Sequence, residues 1–301
     1  MPGGRGVLTA VAAAALALAA APIAHAAQGT DTPNRTEQVQ YTADPGEVNH
    51  LTLDNANADL HLHDSGAIIR WLPSNSVPEC AAAGQDVFCS DQGEIGFSVF
   101  ASLGDGNDTF VNNSTTGAYV DLGPGDDKAS GGSHGYNFVG GLGADDFHGA
   151  ASLTSVDPWV GLGVDYSDSA GPVTVSADNV ANDGLSGEHD NVHSDVAQIT
   201  GSRLGNRITG FSRAFGGAGN DVLAGTSGDD LLYAGGGTDI FVGGGGSDIL
   251  WATDGNNTFY ARDGQADRIL CGSGHDTVYA DAQDSLEQAN GGGACDEVHI
   301  G

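Results

Sequence analysis

The chain has 301 residues, with 49 glycines, and its 40 acidic residues against 9 basic ones give a formal net charge of −31 at pH 7. This balance argues against nucleic acid as a partner, because binding of phosphate groups requires a basic surface, and it disfavours anionic membrane surfaces. Cations are the expected counter-species, and many glycines combined with many aspartates suggest tight turns that carry oxygen ligands.

The N-terminus has the features of a secretory signal peptide. Arg5 precedes an apolar run from Val7 to Ala21, and the Ala-His-Ala of residues 24–26 resembles a signal cleavage site. We therefore expect a signal peptide over residues 1–26, secretion, and no membrane span once the signal is removed. A transmembrane anchor is the alternative, but the run is short and rich in alanine.

The segment that follows reads as β-structure. Residues 27–40 are polar and are expected to form a flexible leader. Apolar residues then recur at every second position in 51–53 and 60–63, and 97–103 is a further strand candidate. No stretch after the signal shows sustained helical periodicity. These patterns predict an all-β protein with a short β-rich N-terminal cap region at residues 41–102.

Four cysteines, Cys80, Cys89, Cys271 and Cys295, are an even number in a chain with an export signal, which indicates disulfides. Four cysteines allow three connectivities, and proximity favours Cys80–Cys89 and Cys271–Cys295. The absence of a C-x-x-C spacing argues against a structural zinc site.

A nine-residue repeat of the form Gly-x-Asp/Asn-x-apolar runs without a slip from residue 216. Its acidic or amide positions are Asp221, Asp230, Asp239, Asp248 and Asn257. The preceding glycines are Gly219, Gly228, Gly237, Gly246 and Gly255, and the following apolar residues are Leu223, Leu232, Phe241, Leu250 and Phe259. Asn206 anticipates the pattern, and Asp267 and Asp276 continue it. Five members in phase cannot arise from glycine richness alone.

An earlier block carries the same theme less strictly. The earlier block has aspartates at Asp108, Asp127 and Asp145, spaced by 19 and 18 residues. Each lies two residues after a glycine and two residues before an apolar residue. The half-period between the last two offers Tyr136 in place of an aspartate, or Asn137 if the register slips by one residue. We divide the remainder of the chain into a first repeat block at 103–150, an intervening coil at 151–210, and a second repeat block with a C-terminal cap at 211–301.

The spacing itself points to a cation. Nine residues suffice for a short strand and a glycine-rich turn, so two units form one flat coil, and each aspartate is stacked on the one two units later. Stacked carboxylates repel each other, and a hard cation with oxygen ligands relieves the repulsion. Ca²⁺ accepts about six to eight oxygens in flexible geometry, whereas Mg²⁺ requires a strict octahedron. The repeats therefore predict several calcium ions.

Residues 216–260 resemble tandem copies of the RTX, or haemolysin-type, nonapeptide GGxGxDxUx, and residues 103–148 resemble it more loosely. The resemblance implies a right-handed parallel β-roll, or β-solenoid, in which aspartates two units apart share one Ca²⁺ ion. It implies the pairs Asp221 with Asp239, Asp230 with Asp248, and Asp239 with Asn257, where asparagine departs from the pattern. The predicted calcium-binding residues are Asp108, Asp127, Asp145, Gly219, Asp221, Gly228, Asp230, Gly237, Asp239, Gly246, Asp248, Asn257, Asp267 and Asp276.

Residues 161–210 resemble a segment that recurs in secreted actinobacterial RTX-repeat proteins. The matching stretches include Asp165-Tyr166-Ser167, Pro172-Val173-Thr174-Val175, Asn182-Asp183-Gly184 and Asp190-Asn191-Val192. We interpret the segment as one coil of the roll with a long acidic loop. The loop residues Asp183, Glu188, Asp190 and Asp195 could hold a further ion or could simply be solvated.

Two short motifs have alternative explanations. Residues 131–135 match the G-x-S-x-G nucleophile elbow of hydrolases, but they lie in phase with the repeats, and the elbow needs a following helix. His61 and His63 lie on one face of a predicted strand, where they could hold a transition metal; outward-facing polar positions are the interpretation we favour.

Comparison of the two blocks predicts where ions lie. In residues 216–260 successive aspartates fall on opposite edges of the coil, so ions are expected on both edges; in residues 103–148 they are expected on one. Asp239 has partners eighteen residues away on both sides, whereas Asp221 has Arg203 at that distance. Substitution of Asp239 should therefore be the more damaging of the two.

These observations together predict a secreted, non-enzymatic, monomeric protein that binds calcium and acts on an unidentified partner at a cell surface or in a matrix. The alternatives are a β-roll module attached to an extracellular hydrolase, and an adhesin or toxin-like surface protein. No H-E-x-x-H motif of a metalloprotease occurs in the chain.

Overall fold

The computed structural model describes residues 7–11, 37–56, 59–67, 70–72, 80–90, 97–150, 163–287 and 295–301. The predicted cleavage site at 24–26 and most of the predicted leader lie outside these residues. Every regular element in the described ranges is a β-strand, so the all-β prediction is confirmed. These ranges contain no helix that is both long and apolar enough to cross a membrane.

The first thirteen strands are β1 (Val7–Val11), β2 (Glu37–Thr42), β3 (His50–Ala56), β4 (Asp59–Asp64), β5 (Arg70–Leu72), β6 (Cys80–Ala83), β7 (Asp86–Cys89), β8 (Phe97–Ser102), β9 (Thr109–Asn112), β10 (Gly117–Asp121), β11 (Lys128–Ser130), β12 (Tyr136–Val139) and β13 (Asp146–His148). The remaining strands are β14 (Gly163–Asp165), β15 (Val173–Ser176), β16 (Gly184–Leu185), β17 (Asn191–Val192), β18 (Ile199–Thr200), β19 (Arg207–Thr209), β20 (Arg213–Ala218), β21 (Val222–Ala224), β22 (Leu231–Gly236), β23 (Ile240–Val242), β24 (Ile249–Asp254), β25 (Thr258–Ala261), β26 (Arg268–Leu270), β27 (Thr277–Ala280), β28 (Ser285–Glu287) and β29 (Glu297–Ile300).

The strands form three sheets. The long sheet has 13 strands in the order β28-β26-β24-β22-β20-β18-β14-β12-β10-β8-β2-β1-β5. The N-terminal sheet has the order β17-β13-β11-β9-β3-β4-β7-β6, and the C-terminal sheet has the order β16-β15-β19-β21-β23-β25-β27-β29. From β8 onward, apart from the segment β15–β17, the chain alternates between the long sheet and a short one, and neighbouring strands within each sheet are parallel, as in β22 and β24. This is the predicted parallel β-roll.

The core is a thin layer between the sheets. Alternation along each short strand directs one residue inward, so that Leu223, Leu232 and Phe241 have no exposed surface, while Ile240 and Val242 beside Phe241 stay about 40% exposed. Phe241 stacks on Phe259 of the next coil at a ring-centroid distance of 4.6 Å. Each nine-residue unit thus buries essentially one large side chain.

The roll begins earlier than the repeats indicate. Strand β2 is parallel to β8 and β3 is parallel to β9, so residues 37–56 form a coil of the roll itself, including residues 37–40 of the predicted leader. Strands β4, β7 and β6 then extend the N-terminal sheet in antiparallel fashion as a cap. Strand β1, within the predicted signal peptide, pairs antiparallel with β2.

Residues 163–210 form one coil with an extra strand. After β14 the chain enters the C-terminal sheet as β15, turns back through β16, and continues the N-terminal sheet as β17 before it returns to the long sheet as β18. The two short sheets therefore meet at this coil. Disulfides join Cys80 to Cys89 and Cys271 to Cys295, as proximity in the sequence favours.

Candidate calcium sites

The repeat aspartates form ladders in which, except at Asp230, the carboxylate is tied to the preceding coil. Asp239 Oδ1 accepts a hydrogen bond from the backbone N–H of Asp221 at 2.8 Å, over a separation of 18 residues. The N–H of Asp239 in turn donates to Asn257 Oδ1 at 2.9 Å. The N–H of Asp230 donates in the same way to Asp248 Oδ1 at 3.0 Å. The structure thus brings together all three residue pairs that the resemblance implies.

Two rows of these residues run along the roll. The first edge consists of the turns that lead from the long sheet to a short sheet, and the second edge consists of the turns that lead back. The first edge carries Asn49, Asp108, Asp127, Asp145, Asp190, Asn206, Asp221, Asp239, Asn257, Asp276 and Asp296. The second edge carries Asp230, Asp248, Asp267 and Asp284.

Most of these carboxylates have one oxygen with no partner. Oδ1 is used by the ladder, but Oδ2 is buried without a hydrogen bond from any protein group in eight of the aspartates within the described ranges. The eight are Asp108, Asp127, Asp145, Asp221, Asp239, Asp248, Asp267 and Asp276. An unsatisfied buried acceptor costs about 1–3 kcal/mol, and more when it is charged. Such a row is stable only with a bound cation or proton.

Two neighbouring turns of the first edge show what the unpaired oxygen lacks. In one turn, Asn206 Nδ2 donates to the carbonyl oxygen of Gly216 at 2.9 Å. In the next turn Asp221 stands where asparagine stood, and its Oδ2 and the carbonyl oxygen of Ala234 both approach the position that a Cβ of Gly216 would occupy. An oxygen faces an oxygen where asparagine makes a hydrogen bond. A cation with oxygen ligands fits between them.

Glycine is required in these turns for space and for backbone conformation. A Cβ on Gly243 would stand 2.6 Å from Asp248 Oδ2, and one on Gly237 would overlap the carbonyl oxygen of Gly219 in the preceding coil. Gly219, Gly237 and Gly246 also have φ values of 109°, 144° and 119°, which side chains disfavour. Gly228 differs, because its φ is not in this region and a Cβ there would touch only the Thr226 hydroxyl, at 3.8 Å.

Burial raises the pKa values of the ladder carboxyls. Burial is the main cause in every case, and it raises the pKa to about 7 for Asp127, Asp221 and Asp248 and to about 8 for Asp145. Neighbouring carboxylates raise these pKa values further, and the backbone N–H that binds Oδ1 opposes the rise. Near neutral pH the ladder carboxyls are therefore only partly ionised, and a divalent cation competes with protons for the same oxygens.

The first block carries carboxylates on one edge only, as its spacing predicts. On its second edge the turn at residues 113–116 is closed by Asn112, whose Oδ1 accepts from the N–H and the hydroxyl of Ser114 at 2.9 and 2.7 Å. Tyr136 occupies the ladder position and is buried with its ring 4.9 Å from that of Phe138. Phe138 has no exposed surface, so the alternative register through Asn137 is wrong. The positions of the ions themselves stay a prediction.

The structure corrects the expectation that Asp221 has no ladder partner in the preceding coil. That coil is three residues short, so the backbone N–H of Asn206, 15 residues away, donates to Asp221 Oδ1 at 2.7 Å. Asp239 is therefore not distinguished from Asp221 by its neighbours. Asp230 begins the second-edge ladder, and its carboxylate accepts from the N–H and hydroxyl of Thr226 at 2.6 and 2.9 Å, so both its oxygens are paired.

The nine-residue spacing does not predict ladder contacts between residues that an inserted segment separates. The N–H of Asp145 donates to Asp190 Oδ1 at 3.0 Å over 45 residues, and the N–H of Asn49 donates to Asp108 Oδ1 at 2.7 Å over 59 residues. Asp284 and Asp296 near the C-terminus join the ladders 17 residues after Asp267 and 20 residues after Asp276, instead of 18. The Asp-x-apolar signature before a strand is present in Asp190-Asn191-Val192 and was available as a signal.

The acidic loop of the intervening coil is mostly used for structure. Both oxygens of Asp183 are occupied, by the N–H of Ser176 at 2.7 Å and that of Val192 at 2.8 Å. Asp195 lies apart, where it accepts from the N–H of Gly149 at 2.9 Å. Asp190 is the loop residue that joins the ladder. The four residues do not converge on one point.

The serine of the G-x-S-x-G match lies in a turn between two strands. Residues 131–135 connect β11 to β12, so a strand follows where the hydrolase elbow requires a helix. The interpretation of this segment as part of the repeat is the one that the fold supports.

Comparison with known families agrees with the geometry of the second block. The family model for the RTX calcium-binding nonapeptide repeat (4 copies) matches residues 215–250 and 242–278. The matched residues include the paired ladders of both edges. A search of curated proteins finds no match for the chain.

Proposed function

Because the chain carries RTX calcium-binding repeats in a β-roll, we propose that it is a secreted, non-enzymatic protein whose roll becomes stable when calcium binds between its coils. One observation carries the proposal: the row of buried, unpaired Oδ2 atoms, which at Asp221 and Asp248 lie beside carbonyl oxygens of the next coil. The net charge of −31 adds a general repulsion that divalent cations reduce.

The residues that would hold calcium are the ladder aspartates, together with the carbonyl oxygens of the glycine-rich turns. The bound ion supplies positive charge between stacked carboxylates. The chain supplies prepositioned oxygens, because each Oδ1 is fixed by the N–H of the preceding coil. Each nine-residue unit buries essentially one large side chain, which does not offset the ordering entropy of glycine-rich chain. Calcium binding therefore contributes directly to the free energy of folding.

An extracellular location fits this chemistry. Extracellular calcium modules typically bind at about 10⁻⁴–10⁻³ M, a range that extracellular calcium reaches and cytosolic calcium does not. The signal-like N-terminus and the two disulfides favour the same compartment. We further propose a monomer, and a partner at a cell surface or in a matrix.

The proposal is tested by circular dichroism and hydrogen exchange on the chain from residue 27 to 301, in EDTA and then in millimolar Ca²⁺. We expect β-signal and amide protection in residues 213–287 to appear with Ca²⁺ and to be much weaker with equal Mg²⁺. Equal protection in EDTA and Ca²⁺ would refute the role of calcium in folding. Mass spectrometry of material outside the producing cell, with an N-terminus near Ala27, tests secretion.

A further inference from the structure

Outside the ladders, the described residues contain two clusters in which histidines and a carboxylate approach one another. One consists of His61, His63 and Asp86, and the other of Asp146, His148 and His193. In the second cluster the rings of His148 and His193 are stacked at 3.7 Å, and Lys128 Nζ lies 3.8 Å from Asp146 Oδ2. Stacked rings and a competing cation make this second cluster the poorer candidate.

The first cluster follows directly from strand alternation and pairing. In β4, Leu60 and Leu62 point into the core, so the neighbouring His61 and His63 emerge together on the outer face. Strand β7 is antiparallel to β4 and places Asp86 directly opposite His63. Asp86 Oδ1 lies 2.8 Å from His63 Nδ1 and 3.0 Å from His61 Nε2. One carboxylate oxygen thus sits between two imidazole nitrogens.

The neighbouring structure fixes these side chains. The His61 ring stacks on Phe88 of β7, with centroids 4.4 Å apart and planes 6° from parallel. Strand β7 is itself joined to β6 by the Cys80–Cys89 disulfide, which bridges a directly paired position of the hairpin. The three donors therefore lie on two paired strands of a disulfide-linked cap, and preorganised donors favour metal binding.

We propose that His61, His63 and Asp86 form a binding site for a first-row transition-metal ion of the Zn²⁺ class, separate from the calcium ladders. The three donor atoms lie within 4.8 Å of one another. Bonds of about 2.0–2.2 Å in a tetrahedral arrangement place donors about 3.3 Å apart. The spacings of 3.0 and 2.8 Å from Asp86 Oδ1 to His61 Nε2 and His63 Nδ1 therefore require only a small expansion.

The donor set distinguishes this site from the ladders by chemistry. Two imidazole nitrogens and one carboxylate suit Zn²⁺, Co²⁺, Ni²⁺ or Cu²⁺, whereas Ca²⁺ and Mg²⁺ prefer oxygen donors. Three protein ligands leave a further coordination position for water or an external ligand, because the side chains are 20%, 37% and 34% exposed. The sequence alone offers only the His-x-His pair, and the fold adds the carboxylate from 23 residues away.

The test is a Co²⁺ titration of the chain from residue 27 to 301 with its calcium sites saturated. We expect one tight equivalent with the visible absorption of low-coordinate Co²⁺, which Zn²⁺ then displaces. His63→Gln and Asp86→Asn should each weaken binding at least about tenfold, because even outer-shell changes at metal sites weaken binding by that much. His134→Ala removes an exposed histidine outside both clusters and should leave the titration unchanged.

Two results would overturn the proposal. One is a wild-type titration that the His63 and Asp86 variants reproduce. The other is loss of the tight equivalent in His193→Gln rather than in these variants. Unchanged far-ultraviolet circular dichroism in Ca²⁺ is the check that the variants fold. Because both side chains of the tested pair face solvent, their replacement leaves the core contacts of β4 and β7 in place.

Discussion

Replacement of Asp248 by asparagine should stabilise the calcium-free protein and weaken the calcium-bound one. Asp248 lies between Asp230 and Asp267 on the second edge, and its Oδ2 has no partner. An asparagine keeps the Oδ1 that accepts from the N–H of Asp230. Its Nδ2 would point towards the carbonyl oxygen of Tyr260, in the way that Asn206 Nδ2 binds Gly216.

The expected sizes follow from the neighbours of Asp248. Burial raises its pKa from 3.8 to about 7, and each tenfold change in proton affinity corresponds to about 1.4 kcal/mol. If the asparagine removes even the part of the ionisation cost that corresponds to one tenfold change, the calcium-free protein is stabilised by about 1.4 kcal/mol above pH 7. With calcium at ten times Kd, each site contributes about 1.4 kcal/mol, so a residue shared by two sites loses about 2.8 kcal/mol.

Asp230→Asn is the matched control on the same edge. Asp230 has one ladder neighbour, and both of its oxygens are hydrogen-bonded to Thr226. In EDTA the change should cost about 1 kcal/mol through a lost hydrogen bond. In Ca²⁺ it should also remove about 1.4 kcal/mol, the stabilisation contributed by one calcium site. The free energy of unfolding of each variant is measured by denaturant titration in EDTA and in Ca²⁺. Equal losses for the two variants in Ca²⁺, or destabilisation of Asp248→Asn in EDTA, would refute the ladder argument.

Three further predictions follow from the same contacts. Between pH 5 and 8 the calcium-free protein should lose stability as pH rises, because ladder carboxyls with pKa values of about 6–8, against 3.8 in the unfolded chain, bind more protons in the folded state. Calcium affinity should rise over the same pH range. Unfolding midpoints at pH 5 and pH 8, measured in EDTA and in Ca²⁺, check both expectations. Gly237→Ala should cost at least about 1–3 kcal/mol through strain and overlap with the preceding coil, whereas Gly228→Ala should be tolerated; thermal unfolding in Ca²⁺ compares them. On chelation of calcium, hydrogen exchange should accelerate in the turns at 226–230 and 244–247 and change little at 113–116; uniform acceleration would contradict the one-edged first block.

The sequence predicts those parts of the fold whose period is local. Asp221 to Asn257 can be placed because a strict nine-residue phase fixes both the strand alternation and the ladder position. Phase is lost wherever a coil changes length. Asp190 lies 45 residues after Asp145, and a short coil brings Asn206 to Asp221, so no fixed spacing predicts either contact.

The cap shows a different limit of sequence reasoning. Alternation in β4 predicts that His61 and His63 share a face, which the structure confirms. The partner Asp86 depends on how β7 pairs with β4, and antiparallel register is set by the intervening turns and by burial of the opposite face. The choice of partner strand leaves no periodic pattern in the sequence. The site is therefore visible only once the strands are paired.

The asparagines in the first-edge ladder show where the roll can be stable without calcium. The side-chain amide of Asn206 makes six hydrogen bonds, to Val173, Ser202, Gly216 and Asp221, so this rung has no unpaired oxygen. It lies where the intervening coil meets the second block. In repeat proteins each coil contacts only its neighbours, and order spreads from the most stable one. We infer that the coil at Asn206 gives the calcium-dependent coils after it a preformed surface, and that calcium then orders them in sequence towards the C-terminus.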